Sequence, residues 1–382
     1  MRVGLVSPYD YSAWGGVQEH IRHLARQLRG MGHEVGVLAP SSHKDEADPD
    51  FHRMGGVIPI PVNDSVARIS VNPMLSHRVT QVLAEQRFDV LHYHEPLMPT
   101  LPLGVLRISE IANVGTFHAY AKANVGYSYG RGLLAPYLRK LHATVAVSPP
   151  AREYVRQYFP EVDPEVIPNG VDVDRFRPDL PPIRHFLDGR VNFLFVGRLE
   201  KRKGVVDLVR GYARVRSRIP RTRLIITGEG PMRHQIASVI RTERIEDNVV
   251  LLGRVPAEVL PRYHATADVF CATATGSESF GIVLVEAMAA ALPVLCTDIP
   301  GYLSAVEAGV TALTVRPRSP EEIGEAMVRL ASDEGLRRRL GVAGSRRARE
   351  RFAWPVVAGR LLEVYARARL EMTREVGSGV HN

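Results

Sequence analysis

Two doubly wound parallel-sheet α/β domains in tandem are the fold class this sequence predicts, and three observations predict it. Short apolar runs alternate with amphipathic stretches from one end to the other, which is the βαβ rhythm of a parallel sheet. That rhythm runs twice, with a proline-rich interruption between the two series. The chain has 382 residues, 45% of them hydrophobic and 24% charged, so it is globular and too long for one ordinary core.

In the first series the strand candidates are 3–7, 34–39, 88–92, 114–117 and 144–147. Between the first two lies a helical pattern over 17–31, in which Val17, Ile21, Leu24, Ala25 and Leu28 share one face. The stretch 171–190 carries Pro178, Pro181, Pro182 and Gly189 with few large apolar residues, and is expected to be a linker. The second series has strand candidates at 192–196, 223–227, 249–252, 269–271 and 294–297, each followed by a helical pattern. The expected organisation is therefore a first domain over 1–170, the linker at 171–190 and a second domain over 191–354. A last helix over 355–372 has no strand after it and is expected to cross back to the first domain. A disordered tail is expected from 373. Two such domains should face a deep cleft lined by the carboxyl ends of both sheets.

Charge separates the halves. Lys and Arg total 49 against 41 Asp and Glu, a net charge of +8. Residues 1–170 hold 16 basic and 16 acidic groups, so the whole excess lies in the second half. Clusters such as Arg337-Arg338-Arg339 sit on patterned helices with interspersed acids and no interleaved aromatics, which fits a solvated face better than a nucleic-acid footprint. Cys271 and Cys296 both end apolar runs and read as buried thiols of a reducing compartment. The opening MRVGLVSPYD has one Arg and too short an apolar run for an export signal, and no stretch reaches a membrane-spanning length. A cytoplasmic protein is expected.

Three segments carry chemistry. Gly15-Gly16-Val17 lies between the first strand and first helix, where free backbone N–H groups bind anions; it is not a dinucleotide fingerprint. Between a strand and a helix of the second series, Gly197-Arg198-Leu199-Glu200-Lys201-Arg202-Lys203-Gly204 places cations where the helix macrodipole disfavours them, as expected of a site for an anion such as a diphosphate. The third runs from Gly276 to Glu286: Glu278 precedes a turn at Gly281, and an apolar helix then carries Glu286 in its second turn. One segment thus offers a carboxylate for hydroxyls, helix amides for phosphate and a second carboxylate, which suits a nucleotide sugar. His92, His94 and His118 are of metal-ligand type, but the simpler reading of His92 and His94 is packed polar residues at a sheet end.

With seven residues between Glu278 and Glu286, the chain resembles the GT-B retaining glycosyltransferases of family 4 over essentially its whole length. It is most similar to the phosphatidylinositol mannosyltransferases. Shared segments are Gly15-Gly16-Val17-Gln18, Ser65-Val66-Ala67-Arg68, Asp89-Val90-Leu91-His92 with His94-Glu95-Pro96, Thr116-Phe117-His118, Ile167-Pro168-Asn169-Gly170 and 278–288. The resemblance implies that Arg198 and Lys203 clamp the donor diphosphate beside Gly15 and Gly16. It implies that Glu286 takes the ribose, that Glu278 takes sugar hydroxyls, and that Phe280, Gly281, Ile282 and Val283 complete the donor site. His118 would contact the sugar near the reacting centre. Tyr9, Pro59 and Arg68 match an inositol-phosphate site, with Lys122 standing in for a lysine that is Ala123 here. The helix near 77–81 lacks a dense basic run, so only weak peripheral membrane contact is implied.

The leading expectation is retaining transfer of mannose from GDP-mannose to an inositol phospholipid at the cytosolic membrane face, with no metal or cofactor. The alternatives are a UDP- or ADP-sugar donor with a soluble or other glycan acceptor, a nucleotide-sugar epimerase, and a non-enzymatic nucleic-acid binder.

Overall fold

The computed structural model describes residues 1–13, 15–43, 48, 50–62, 65–69, 75–120 and 125–379, with the backbone alone at 58–62, 65–69, 75, 125, 126, 129 and 376–379. The chain divides into two compact units: Met1–Gly170 with Trp354–Asn382, and Val171–Ala353.

Unit 1 is built on a sheet of β1 (Arg2–Val6), β2 (Glu34–Ala39), β3 (Phe51–Arg53), β6 (Val90–His94), β7 (Ala112–Phe117), β8 (Ala143–Ala146) and β9 (Glu165–Val166). All paired strands are parallel, in the order β3-β2-β1-β6-β7-β8-β9. A separate antiparallel hairpin joins β4 (Ile58–Val62) to β5 (Ser65–Ile69). The helices are α1 (Gly16–Gly30), α2 (Leu75–Gln86), α3 (Leu101–Ile108), α4 (Val125–Leu138) and α5 (Pro149–Tyr158). The central strands are buried on both faces, and all but β6, which carries His92 and His94, read as largely apolar runs. On one face Ile21, Leu24 and Leu28 of α1 pack with Val3, Leu5 and Val37.

Unit 2 repeats the plan with β10 (Val191–Val196), β11 (Thr222–Thr227), β12 (Val249–Gly253), β13 (Val269–Ala272), β14 (Val294–Thr297) and β15 (Ala312–Val315), ordered β12-β11-β10-β13-β14-β15 and parallel throughout. Its helices are α6 (Val205–Arg218), α7 (Arg233–Thr242), α8 (Leu260–Thr266), α9 (Ile282–Ala289), α10 (Pro300–Ala305), α11 (Pro320–Ser332) and α12 (Glu334–Arg347). Cys271 and Cys296 are buried free thiols, as the sequence suggests.

Two expectations are corrected. Residues 171–190 are no free linker: Val171, Phe176 and Phe186 are each at most 3% exposed in the core of unit 2. Prolines set the path of that segment, while three widely spaced apolar side chains anchor it. The tail from 373 is not disordered at its start, because α13 (Trp354–Gly379) runs through it. Val357, Ala358, Leu361, Val364, Tyr365 and Ala368 of α13 join the unit 1 core at the 3.6-residue period of one buried face.

Candidate active site

The cations of unit 2 stand at the carboxyl end of β10. After Gly197 the chain makes a single 3-10 turn, Lys201–Lys203, and enters α6 through Gly204. Gly204 has φ 65, and a Cβ there would lie 1.9 Å from the Thr273 carbonyl oxygen at the exit of β13. This approach brings the 201–203 turn against the loop that carries Glu278. The Lys203 ammonium lies 2.8 Å from the Glu278 carboxylate, which also pairs with Arg202. Arg202 in turn donates to Glu200, Nε to Oε2 at 2.9 Å, and Arg198 lies 2.8 Å from the other Glu200 oxygen. Glu200 is 4% exposed, whereas the Arg198 side chain is 59% exposed. A buried carboxylate needs paired cations, and Glu200 pairs with the guanidinium groups of both arginines, holding their charge at the end of β10.

Glu278 is followed by α9, whose cap Gly281 takes φ 92, a conformation that disfavours side chains. Phe280 is buried and packs edge-on to Phe352, at 5.5 Å between ring centres. This anchors the turn and leaves Ile282 and Val283 half-buried in the first turn of α9, where amides have no partner within the helix. Glu286 is half-buried one turn further on. Lys203, Glu278 and, through Glu200 and Arg202, Arg198 therefore form one connected ionic cluster.

Unit 1 presents different chemistry. His92 is packed: its Nε2 lies 2.6 Å from Thr116 Oγ1 and its Nδ1 2.7 Å from Tyr365 Oη of α13. His94 Nδ1 and His118 Nε2 are 2.9 Å apart. His20, His94 and His118 are buried with ring nitrogens within 4.8 Å of one another, so among the described residues this triad, not one including His92, is what could hold a metal. Burial pushes His20 down to about 4 and His92 to about 3, and pushes His94 and His118 well below the usual histidine range. All four are neutral at pH 7. Glu95, at φ 55 just past β6, is 4% exposed; burial pushes it up to about 7, against hydrogen bonds from the His118 and Ala119 amides. Tyr9 is close enough that burial and Glu95 together push its hydroxyl up.

Gly15 caps α1 in extended conformation and Gly16 is exposed. Pro59 and Arg68 are direct cross-strand partners in the β4–β5 hairpin. Lys122 lies outside the described residues. Sequence reasoning did not single out Glu95, Glu200 or His20, and it gave Arg202 no role of its own. A carboxylate between two arginines was the one signal available, for Glu200.

Two family models divide the chain between them. "Glycosyltransferase Family 4" matches residues 14–175, and "Glycosyl transferases group 1" matches 177–347. The chain belongs to glycosyltransferase family 4. It is 36% identical over 370 residues to the phosphatidyl-myo-inositol mannosyltransferase of Mycolicibacterium smegmatis, covering 96% of this chain and 93% of that one. It is also 36% identical to that of Mycobacterium tuberculosis H37Rv, covering 96% of each. Its fold is that of the GT-B glycosyltransferases. Solved structures with this fold include Anabaena HepE in complex with UDP, with TM-score 0.76, 18% identity and coverage of 96% of this chain and 100% of that one. Sucrose-phosphate synthase of Thermosynechococcus elongatus is another, with TM-score 0.75, 22% identity and coverage of 96% and 98%. Among the described residues, no helix of this family 4 enzyme is long and apolar enough to cross a membrane.

Proposed function

We propose that the enzyme transfers mannose, with retention, from GDP-mannose to an inositol phospholipid at the cytosolic membrane face. The observation that carries this reading is the ionic cluster of Arg198, Arg202 and Lys203 around Glu200 and Glu278 at the entrance to α9. Its preorganised cations suit a diphosphate that gathers charge as it leaves. The names of the 36% identical relatives supply the donor sugar and the lipid class.

In this reading Arg198 and Lys203 grip the diphosphate beside Gly15 and Gly16, and the first amides of α9 receive a phosphate oxygen. Glu286 takes the ribose hydroxyls, Glu278 orients the sugar, and His118 meets it from unit 1. The acceptor hydroxyl attacks the anomeric carbon on the face the diphosphate leaves. Its oxygen bonds to that carbon as the sugar–phosphate bond breaks, and its proton passes to the departing phosphate oxygen. The products are GDP and the mannosylated lipid. Charge neutralisation by Arg198, Lys203 and the α9 amides leaves no step for a metal. Tyr9, Pro59, Arg68 and Lys122 would receive the inositol phosphate.

A second reading, a UDP- or ADP-sugar with a soluble acceptor, is favoured by one feature. The exposed face of α2 carries Arg78 against Glu85 and offers no net charge to an anionic surface. Thermal stabilisation by GDP-, UDP- and ADP-sugars, followed by transfer to phosphatidylinositol vesicles, separates the two. Stabilisation by a UDP-sugar alone, with phosphatidylinositol inert, overturns the first.

A further inference from the structure

Glu95 ties two strands together at the edge where His118 sits. The Glu95 N–H donates to the Thr116 carbonyl at 2.8 Å, and its own carbonyl accepts the Met98 N–H at 3.1 Å. Its side chain turns back: Oε1 accepts the N–H of His118 and the N–H of Ala119, each at 2.7 Å. One buried oxygen thus takes two successive amides just beyond the end of β7. The backbone at Glu95 adopts the left-handed region to allow this, a conformation a side chain larger than glycine adopts only when the surroundings impose it. The imidazole of His118 is fixed from the same strand, through His94.

We propose that Glu95 is a positioning residue for sugar transfer: its carboxylate holds the His118–Ala119 backbone, and so aims His118. The proposal rests on the glycosyl-transfer reading above, in which His118 meets the donor sugar. The chemistry explains the residue type. Only an oxygen with two free lone pairs accepts both amides, and removing it leaves the buried His118 N–H and the partly buried Ala119 N–H without that acceptor. A glutamine keeps such an oxygen at the same reach, whereas an alanine deletes it.

The test uses the full chain as wild type, Glu95→Gln and Glu95→Ala. Amide hydrogen exchange should show the His118 and Ala119 N–H protected in wild type and Glu95→Gln. In Glu95→Ala they should exchange on the order of 100-fold faster, while the strands of unit 2 are unaffected. With GDP-mannose and phosphatidylinositol vesicles, Glu95→Ala should lower kcat roughly 100-fold with donor KM within about threefold, and Glu95→Gln should restore kcat to within about tenfold of wild type. Because Glu95 acts through His118, His118→Ala and the His118→Ala/Glu95→Ala double variant should be equally slow. If Glu95→Ala does not fold, Glu95→Asp, which withdraws the oxygen by one methylene, takes its place with the same pattern expected. An active wild type with Glu95→Ala within twofold of it overturns this role alone. So does Glu95→Gln as slow as Glu95→Ala, or additive losses in the double variant. A wild type that transfers no sugar from any nucleotide sugar overturns the glycosyl-transfer reading and this role with it.

Discussion

The two units share an architecture and organise the ends of their central strands by opposite means. In unit 1 the imidazoles are buried and neutral: His92, His94 and His118 are fixed by hydrogen bonds to Thr116, Tyr365 and one another, and His20 packs edge-on to His94 and His118. In unit 2 they are charged and partly exposed, with Lys203 and Arg202 on Glu278 and Arg198 on Glu200. A neutral pocket suits a sugar, whose hydroxyls need aimed dipoles rather than fields. A cation cluster suits a leaving diphosphate. The fold supplies the placement, and local polarity assigns the task.

The largest test of that contrast is to remove the cations. Arg198→Ala or Lys203→Ala should abolish stabilisation by the nucleotide sugar and cut turnover by about 10²–10³, since each deletes charge stabilisation of the departing diphosphate. Near-normal turnover in both would mean the charged unit is not where the diphosphate goes. Next comes Glu278→Ala, which should lose turnover similarly yet leave affinity for the free nucleoside diphosphate undiminished by calorimetry, because the carboxylate that pairs with Lys203 and Arg202 is gone. Glu286→Ala should instead weaken that affinity.

Acid should separate the units by stability. The folded-state pKa of His20 is about 4 and of His92 about 3, both below the unfolded value. The stability each contributes is full above pH 6.5 and is lost as pH falls toward those values, on the order of 2 kcal/mol per imidazole by pH 5. Unit 2 has one such histidine among its described residues, His264. Hydrogen exchange at pH 5 should therefore find unit 1 opening first, and unit 2 opening first would break the comparison. A smaller effect concerns Glu200→Gln, which keeps the shape and removes the charge between two arginines. It should weaken nucleoside diphosphate binding about tenfold, about 1.4 kcal/mol, because both arginines lose the buried charge that holds them. Smallest of all, attachment to anionic vesicles should be weak and disappear by roughly 0.15 M salt, where the Debye length is about 8 Å.

Most of this contrast could be read in the sequence, but unevenly. The central strands of both sheets were legible as short, largely apolar runs, and β14 falls on the expected residues 294–297, whereas the edge strands β3, β9 and β15 were not expected. The charged site was legible because its cations break the rule for a helix start, and because Glu278 and Glu286 lie on one segment. The neutral site was legible only in part: His92, His94 and His118 were picked out, but the roles of Glu95 and His20 were not. Glu95 meets its partners 23 and 24 residues away, and only the adjacency of β6 and β7 brings them together. His20 joins His94 and His118 across three elements with no shared spacing. Residues 171–190 misled because proline density signals loop, while the burial of Phe176 and Phe186 depends on partners further along the chain, such as His264 and Tyr263. The β4–β5 hairpin was missed because Pro59 and Pro61 are poor strand residues away from an edge.

The return of α13 to unit 1 has a consequence for biosynthesis. Unit 2 is one continuous stretch and holds all its own residues once position 353 has left the ribosome. Unit 1 is emitted first but cannot close its core until Trp354, Leu361 and Tyr365 arrive, after the whole of unit 2. Domains usually fold in the order they are made. Here the first-made unit must wait for a helix made after the second, so a released chain truncated after residue 353 should carry a folded second unit and an open, protease-sensitive first one.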